Sequence, residues 1–216
     1  KAATDPEGNL IGYGTDIGPQ AICYRSDLFE AAGLPSEPAE VEALFDGDWS
    51  NYFDVADQYR EASGKAMIDS ANSVLQGIVN QIEYTYDKPD GSVIATSNPE
   101  IADAYKSVVE RAVPNSAYSA QWGDDWIASF QGDDFATVLC PGWMQGIISG
   151  YAPDQKNWKI ANTFPGGGGN WGGSYLTIPA NGKNVKEAQK LADWLSAPEQ
   201  QVEAFVNVGA FPSQVD

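Results

Sequence analysis

The sequence predicts an α/β fold in which helices cover both faces of a sheet. Short apolar runs recur along the chain, among them Ala21-Ile22-Cys23-Tyr24, Ala136-Thr137-Val138-Leu139-Cys140 and Tyr175-Leu176-Thr177-Ile178. Between them lie longer segments whose apolar residues repeat at helical spacing. Gly, Pro, Asn and Asp punctuate the joints between the two kinds of segment, which is the pattern of strands alternating with covering helices.

In chain order, Ile11 to Arg25 collects small and apolar residues around Gly14, Gly18 and Pro19 and ends in the buried-strand run at 21–24. Asp27 is placed to cap a short helix through Leu28 to Ala32, which Gly33 and Pro35 stop. An acidic loop with Asp46-Gly47-Asp48 follows. Ser50 or Asn51 then opens a helix carrying Phe53, Ala56 and Tyr59 on one face and ending at Gly64. The wide stripe of Val74, Leu75, Ile78, Val79 and Ile82 predicts a deeply buried helix over Ser70 to Tyr86. Asn98-Pro99 starts another, with Ile101, Tyr105, Val108 and Ala112 at helical spacing up to Pro114.

Asp124 to Phe130 reads as a shorter helix, broken by Gly132-Asp133-Asp134 before the strand at 136–140. Pro141-Gly142 then predicts a turn that throws Trp143 outward. Trp158 to Phe164 reads as a strand running into the tract Gly166 to Gly169, and Tyr175 to Ile178 as the next one. Asn184 is placed to cap a helix bearing Ala188, Leu191, Ala192 and Leu195. Ser196-Ala197-Pro198 opens the last helix, which stops at Gly209.

Composition narrows the function classes. Thirty acidic against twelve basic side chains give a net charge of −18. That field repels phosphate backbones and anionic lipid surfaces, so nucleic acid and membrane surfaces are not expected partners, and a neutral or cationic ligand is. No run of apolar residues approaches the length needed to cross a bilayer, so no membrane insertion by this chain is expected, and Lys1 to Asn9 does not read as a signal peptide. Histidine is absent, which removes Ser-His-Asp and Cys-His catalysis and His-ligated zinc. The two cysteines, Cys23 and Cys140, are too few for a zinc site. A disulfide between neighbouring strands and a pair of buried thiols both remain open. No cofactor and no metal are expected. Gly166 to Gly169 is not a phosphate loop, because no Lys-Ser or Lys-Thr follows it.

Several segments resemble, in order, the family-1 extracellular solute-binding proteins of ABC sugar importers, the maltose-binding-protein-like group. They are Gly14-Thr15-Asp16-Ile17-Gly18-Pro19 leading into Cys23-Tyr24-Arg25-Ser26-Asp27-Leu28-Phe29-Glu30-Ala31-Ala32-Gly33-Leu34-Pro35; Phe135 to Trp143; Gly172-Gly173-Ser174-Tyr175-Leu176-Thr177-Ile178-Pro179 followed by Ser196-Ala197-Pro198-Glu199-Gln200-Gln201; and Gly209-Ala210-Phe211-Pro212. The resemblance implies a periplasmic-binding-protein-like (type II) lobe with a mixed sheet flanked by helices. Family members are longer, so it also implies a fragment lacking most of the first lobe and the C-terminal helices. Residues 1–18 would then be the first inter-lobe crossing. Residues 19–170 would form the second-lobe domain, and 171–216 the return crossing with helices that normally pack on the first lobe. Helices such as Val185 to Leu195 would expose apolar stripes in a fragment of that kind.

The implied function is binding of a neutral oligosaccharide for delivery to the permease subunits of an ABC transporter, and not an enzymatic one. The implied location is periplasmic, extracellular or at the cell surface, with a lipid anchor on the full-length protein. A fragment with half the contacts is expected to bind sugar weakly or undetectably. Sugars offer flat C–H faces and hydroxyl edges, so aromatic rings and polar side chains are the signatures to seek; seven Trp and ten Tyr provide a supply, much of which must be core. Trp143 is the first candidate platform, since it follows Pro141-Gly142 at a strand end and the resemblance puts a stacking ring there. The alternative for it is ordinary packing. Trp171 is the second, set between glycines that leave its ring outside any regular element, with Gly172 and Gly173 allowing backbone amides to approach a ligand. Its alternative is a mobile surface loop.

Asp16 would accept hydrogen bonds from adjacent hydroxyls, or else stabilise a turn. Asn170 and Gln145 are further polar candidates, and Trp122 and Trp126 further aromatic ones. Two other functions compete: a glycoside hydrolase using paired carboxylates such as Asp124 and Asp134, and a calcium-dependent surface module at Asp46-Gly47-Asp48 or Gly132-Asp133-Asp134.

Overall fold

The computed structural model describes residues 3–214, so residues 1–2 and 215–216, the outer ends of the expected 1–18 and 171–216 segments, lie outside the described residues. The chain divides into two compact units. One holds the chain up to Pro19, then Pro141–Ile147, then the chain from Asn170 onward; the other holds Gln20–Cys140 and Ile148–Gly169. The expected division into 1–18, 19–170 and 171–216 has no counterpart of the short Pro141–Ile147 passage. Strand β1 (Tyr13–Arg25) and helix α7 (Gly142–Tyr151) each contribute residues to both units.

The larger unit is built on a mixed sheet in the order β3-β2-β4-β1-β5, from β2 (Ile68–Ser70), β3 (Ser116–Tyr118), β4 (Thr137–Pro141), β5 (Trp158–Ala161) and the second half of β1. β2 runs parallel to β3 and to β4, and β1 runs antiparallel to β5 with Cys23 opposite Ile160. Helices α1 (Ser26–Ala31), α2 (Pro38–Phe45), α3 (Trp49–Ser63), α4 (Ala71–Val79), α5 (Pro99–Ser107) and α6 (Asp124–Ala128) complete it. Its core is strongly aromatic: Phe29, Phe45, Tyr52 and Tyr59 are fully buried beside Ile22, Ile68 and Leu139. A second ring cluster joins Trp126, Phe130 and Phe135, with neighbouring rings near perpendicular at 4.7 and 5.4 Å between centroids. The Cys23 and Cys140 sulfurs are bonded, with Cα atoms 5.3 Å apart across adjacent strands.

Local chemistry sets most boundaries. The Asp48 carboxylate accepts from the Ser50 amide at the start of α3, and Gly64 at φ 70° ends it in the left-handed region. Ser70 caps α4 and Asn98 caps α5, each by accepting an amide two residues on. Past α5 the chain widens into a π turn at Val108–Ala112 and tightens at Val113–Asn115, around the proline that cannot continue a helix.

Several expectations need correction. Asp27 does not cap α1; it sits in the first turn and takes the Arg25 guanidinium in a two-pronged pair at 2.7 and 2.8 Å. The stretch over 70–86 is helical only from Ala71 to Val79: Ser70 belongs to β2 and caps the helix, and Asn80 is its C-cap. Within the acidic loop, Pro38 starts the unexpected helix α2. Pro141-Gly142 makes no outward turn: α7 begins at Gly142 and leaves Trp143 half-buried in its first turn.

In the smaller unit the first half of β1 pairs antiparallel with β6 (Asn170–Leu176), with Gly14 opposite Tyr175 and Ile17 opposite Gly173, and register shifts between. The strand expected at Tyr175 to Ile178 therefore begins five residues earlier, at Asn170. Helices α8 (Val185–Leu195) and α9 (Pro198–Val208) follow. Asn184 precedes α8 without its side chain capping it. Buried Gln201 on α9 ties this unit together: its amide donates to the Gly14 and Ser196 carbonyls and its carbonyl accepts from the Ser213 amide. Leu191, Trp194 and Leu195 on α8, and Val202, Phe205 and Val206 on α9, are exposed, which is the apolar surface the fragment reading anticipates.

Candidate functional site

The site of interest lies in the smaller unit, where three chain segments meet: the first half of β1, the first turn of α7, and β6. Trp143 donates its indole N–H to the carbonyl of Trp171 at 3.0 Å, and the two rings meet edge to face with centroids 5.1 Å apart. Both rings are half-buried. Trp171 is thus held by a strand and a partner ring, and the expectation that no regular element fixes it is corrected. The error came from reading its flanking glycines as loop. Gly172 and Gly173 have φ of 94° and 110°, conformations that β6 needs where it passes β1 and Trp143. A Cβ on Gly172 would stand 3.2 Å from the Trp143 indole nitrogen.

Asn170 fastens the same corner. Its side-chain carbonyl accepts from the Gly18 amide at 2.9 Å and its amide donates to the Gly172 carbonyl at 2.8 Å. Asp16 serves the β1–β6 pairing: its Oδ1 accepts from the Ser174 amide at 2.9 Å and the Thr15 hydroxyl at 3.0 Å. A cavity of about 360 Å³ opens beside it, lined also by Tyr13, Tyr175, Ser196 and Ser213. Trp143 borders a different cavity of about 390 Å³, with Gly146, Ile147, Asn207, Val208 and Ala210. Gln145 is not brought to the pair. It is exposed two positions along α7 from Trp143, on another face of the helix.

Two residues that carry the site were not singled out as its members. Gly18 lies so close to β6 that a Cβ there would fall 1.9 Å from the Trp171 oxygen. Phe211 pairs with Ile17 by a backbone bridge, its carbonyl accepting from the Ile17 amide at 2.9 Å. Both sit in motifs the sequence marks, Gly14 to Pro19 and Gly209 to Pro212, but a strand crossing is a relation between distant segments that no local pattern displays.

The bacterial extracellular solute-binding protein family model matches residues 1–214 of the chain. The chain belongs to this family. A crystal structure of an extracellular solute-binding protein of family 1 is 43% identical, with 99% of this chain and 55% of that one covered and a TM-score of 0.88. The ABC transporter associated binding protein from B. animalis subsp. lactis, solved with beta-1,6-galactobiose, shares the fold at 18% identity and a TM-score of 0.75, covering 98% of this chain and 53% of that one. A Streptococcus pneumoniae solute-binding protein solved with the blood group A-trisaccharide does so at 18% and 0.72, covering 98% and 54%. The chain spans just over half the length of these solved solute-binding proteins. No curated protein sequence matches it.

Three of the carboxylates named for competing functions in this solute-binding protein, Asp134, Asp133 and Asp48, have internal partners. Asp134 accepts from the Ser129 hydroxyl at 2.6 Å, and Asp133 pairs with Lys65. Asp48 is spent on the α3 cap. Among the described residues, no group of three or more His, Cys, Asp or Glu is placed to hold a metal ion, and no helix is long and apolar enough to cross a membrane.

Proposed function

We propose that this solute-binding protein chain contacts a neutral oligosaccharide through Trp143 and Trp171, as part of a protein that delivers the sugar to an ABC permease outside the cell. The observation that carries the reading is the edge-to-face indole pair, fixed by the Trp143–Trp171 hydrogen bond. Two indoles locked edge to face at 72° give a sugar a flat face and an adjoining edge without the entropy loss of ordering them on binding. Asn170 and the exposed backbone at Gly172 and Gly173 supply polar groups on β6 beside Trp171, and Asp16 supplies one on the paired strand β1. The structural relatives solved with galactobiose and with a blood-group trisaccharide support a saccharide over other solutes. The net charge of −18 supports a neutral one over an anionic sugar.

In this reading the chain passages between the units are the crossings of a two-lobed protein, and the chain alone supplies part of the contacts. Saturation-transfer NMR against a panel of neutral di- and trisaccharides tests it. Weak transfer that disappears in Trp143→Ala is expected, and the recovered sugar should be chemically unchanged. Transfer indifferent to Trp143 and Trp171 would overturn the reading, and cleaved sugar would favour the hydrolase.

A further inference from the structure

The larger unit carries a second constructed aromatic feature. In its sheet β2 is parallel to β3 and β4, so the carboxyl ends of these strands share one edge, the edge at which open α/β sheets take ligands. The loop 119–123 leaves β3 at this edge. Among the described residues Trp122 is the only non-glycine with a positive φ, 74°, and its side chain is 47% exposed. A large residue in that region is strained, and such strain persists where the surroundings over-determine the conformation.

The surroundings here centre on Asp69, near the end of β2 and 1% exposed. Its Oδ2 accepts from the Gln121 side-chain amide at 2.8 Å and from the buried Trp126 indole at 2.9 Å, while Oδ1 accepts from the Ser73 hydroxyl at 2.9 Å. Trp122 rests on Trp126 with ring centroids 4.9 Å apart. Ser70 adds a bond from its hydroxyl to the Ser119 carbonyl. The loop is thus tethered beside Trp122 through Gln121 and supported beneath it through Trp126, and both lines end on one carboxylate. None of these partners carries a positive charge. The buried Tyr52 phenol of α3 is an ionisable neighbour, and Asp124 and Asp125 at the start of α6 add no positive charge. A buried carboxylate without a counter-charge is a costly way to fill a core, so its presence there calls for a role.

We propose that Trp122 is a separate saccharide-contacting ring on the larger unit and that Asp69 is the residue that positions it. The inference rests on the saccharide reading above but not on the Trp143–Trp171 pair. Asp69 acts as an acceptor array: Oδ2 must receive two N–H groups, whereas Ser73 can turn its own hydroxyl to the Ser70 carbonyl, 2.7 Å away. Asparagine keeps the three side-chain bonds, with its carbonyl at the Oδ2 position and its amide donating to the Ser73 oxygen. Alanine does not.

The test is a titration of the intact chain with maltotriose, and in parallel with raffinose, followed through 15N-labelled indole N–H signals assigned with single Trp→Phe variants. The expected result is a saccharide-dependent shift of the Trp122 signal, kept in Asp69→Asn and lost in Asp69→Ala. Because the alanine variant risks unfolding the core, Gln121→Leu provides a second cut that removes only the loop tether, and it too should lose the shift while the other signals keep their dispersion. Shifts of Trp143 and Trp171 with a silent Trp122 overturn this inference and leave the functional reading intact. A shifting Trp122 with silent Trp143 and Trp171 supports the inference and overturns the choice of site made above. No indole shift with either sugar overturns both. A Trp122 shift that survives Gln121→Leu and Asp69→Ala overturns the positioning role of Asp69.

Discussion

Trp143 reaches across to the Trp171 carbonyl, and Gly18 leaves the room in which that bond forms. The glycine faces Trp171 O at a distance where a Cβ would lie 1.9 Å away, and 3.2 Å from the Trp143 indole nitrogen. Gly18→Ala must therefore push β6 off β1 or turn Trp171 aside. Overpacking of this kind costs about 1–3 kcal/mol. Trp143→Phe keeps a ring and removes one hydrogen bond, at about 1 kcal/mol. The smaller substitution is thus expected to do the greater damage, in urea unfolding and in saccharide response alike. If Gly18→Ala unfolds at the wild-type midpoint, the close approach is not what shapes this corner.

Much of the fold was legible in residues whose signals are local. Asn98-Pro99, Gly64, Gly33 and Gly209 stand at the boundaries their backbone preferences predict, and the stripe on α8 marked it as a helix with one apolar face. What local signals missed was decided by distant neighbours. Trp171 looks like loop because glycines surround it, yet those glycines are what let β6 run against β1. Helix α7 has few strong helix formers, and Gly146 packs where a Cβ would meet the Val208 carbonyl at 2.5 Å, so packing rather than propensity accounts for its composition. Asp69 was invisible because an acidic residue between Ile68 and Ser70 reads as a surface position, and only the sheet shows it is buried.

The Cys23–Cys140 bond should matter for stability more than for shape. It joins adjacent strands of residues 117 apart in sequence, and closing so long a loop in the unfolded chain corresponds to roughly 4–5 kcal/mol on the chain-entropy model, with 2–4 typical in practice. Reductant, or Cys23→Ala with Cys140→Ala, is expected to lower Tm by about 5–10 °C for a chain of this size. Equal melting of oxidised and reduced protein would show that the bond constrains nothing that folding does not already fix.

Arg25 is a buried cation whose charge rests on Asp27 and on the Gly132 carbonyl. Burial alone would raise the Asp27 carboxyl, but the hydrogen bonds and charge of Arg25 outweigh it and hold the group below its ordinary value. The stability this pair contributes is present above about pH 4 and is lost as acid protonates Asp27. Asp27→Asn leaves the guanidinium buried without its counter-charge, and a loss of about 3 kcal/mol is expected, the low end for a broken buried pair because Asp27 is partly exposed. Chemical denaturation near neutral pH measures it, and a loss within error of zero would mean Arg25 is satisfied by carbonyls alone.

Asp69 gives the opposite pH slope. Burial raises its carboxyl to about 6, with the Trp126, Gln121 and Ser73 hydrogen bonds only partly offsetting the cost of the charge. The folded state therefore holds this proton more tightly than the unfolded chain does. Its contribution is most favourable below about pH 4, where both states are protonated, and is lost as pH rises through about 6. A shift of this size corresponds to roughly 3 kcal/mol between the two limits. Asp69→Asn is expected to abolish that slope and to be the more stable protein at about pH 7.5, with the difference shrinking toward zero near pH 4. Because Asp27 and the other carboxylates titrate in both proteins, the quantity to compare is the unfolding free energy of the variant minus that of wild type at each pH. A difference that stays constant across the range would show that Asp69 titrates alike in the folded and unfolded chain, and that the burial seen in the structure leaves its charge as well solvated as in water.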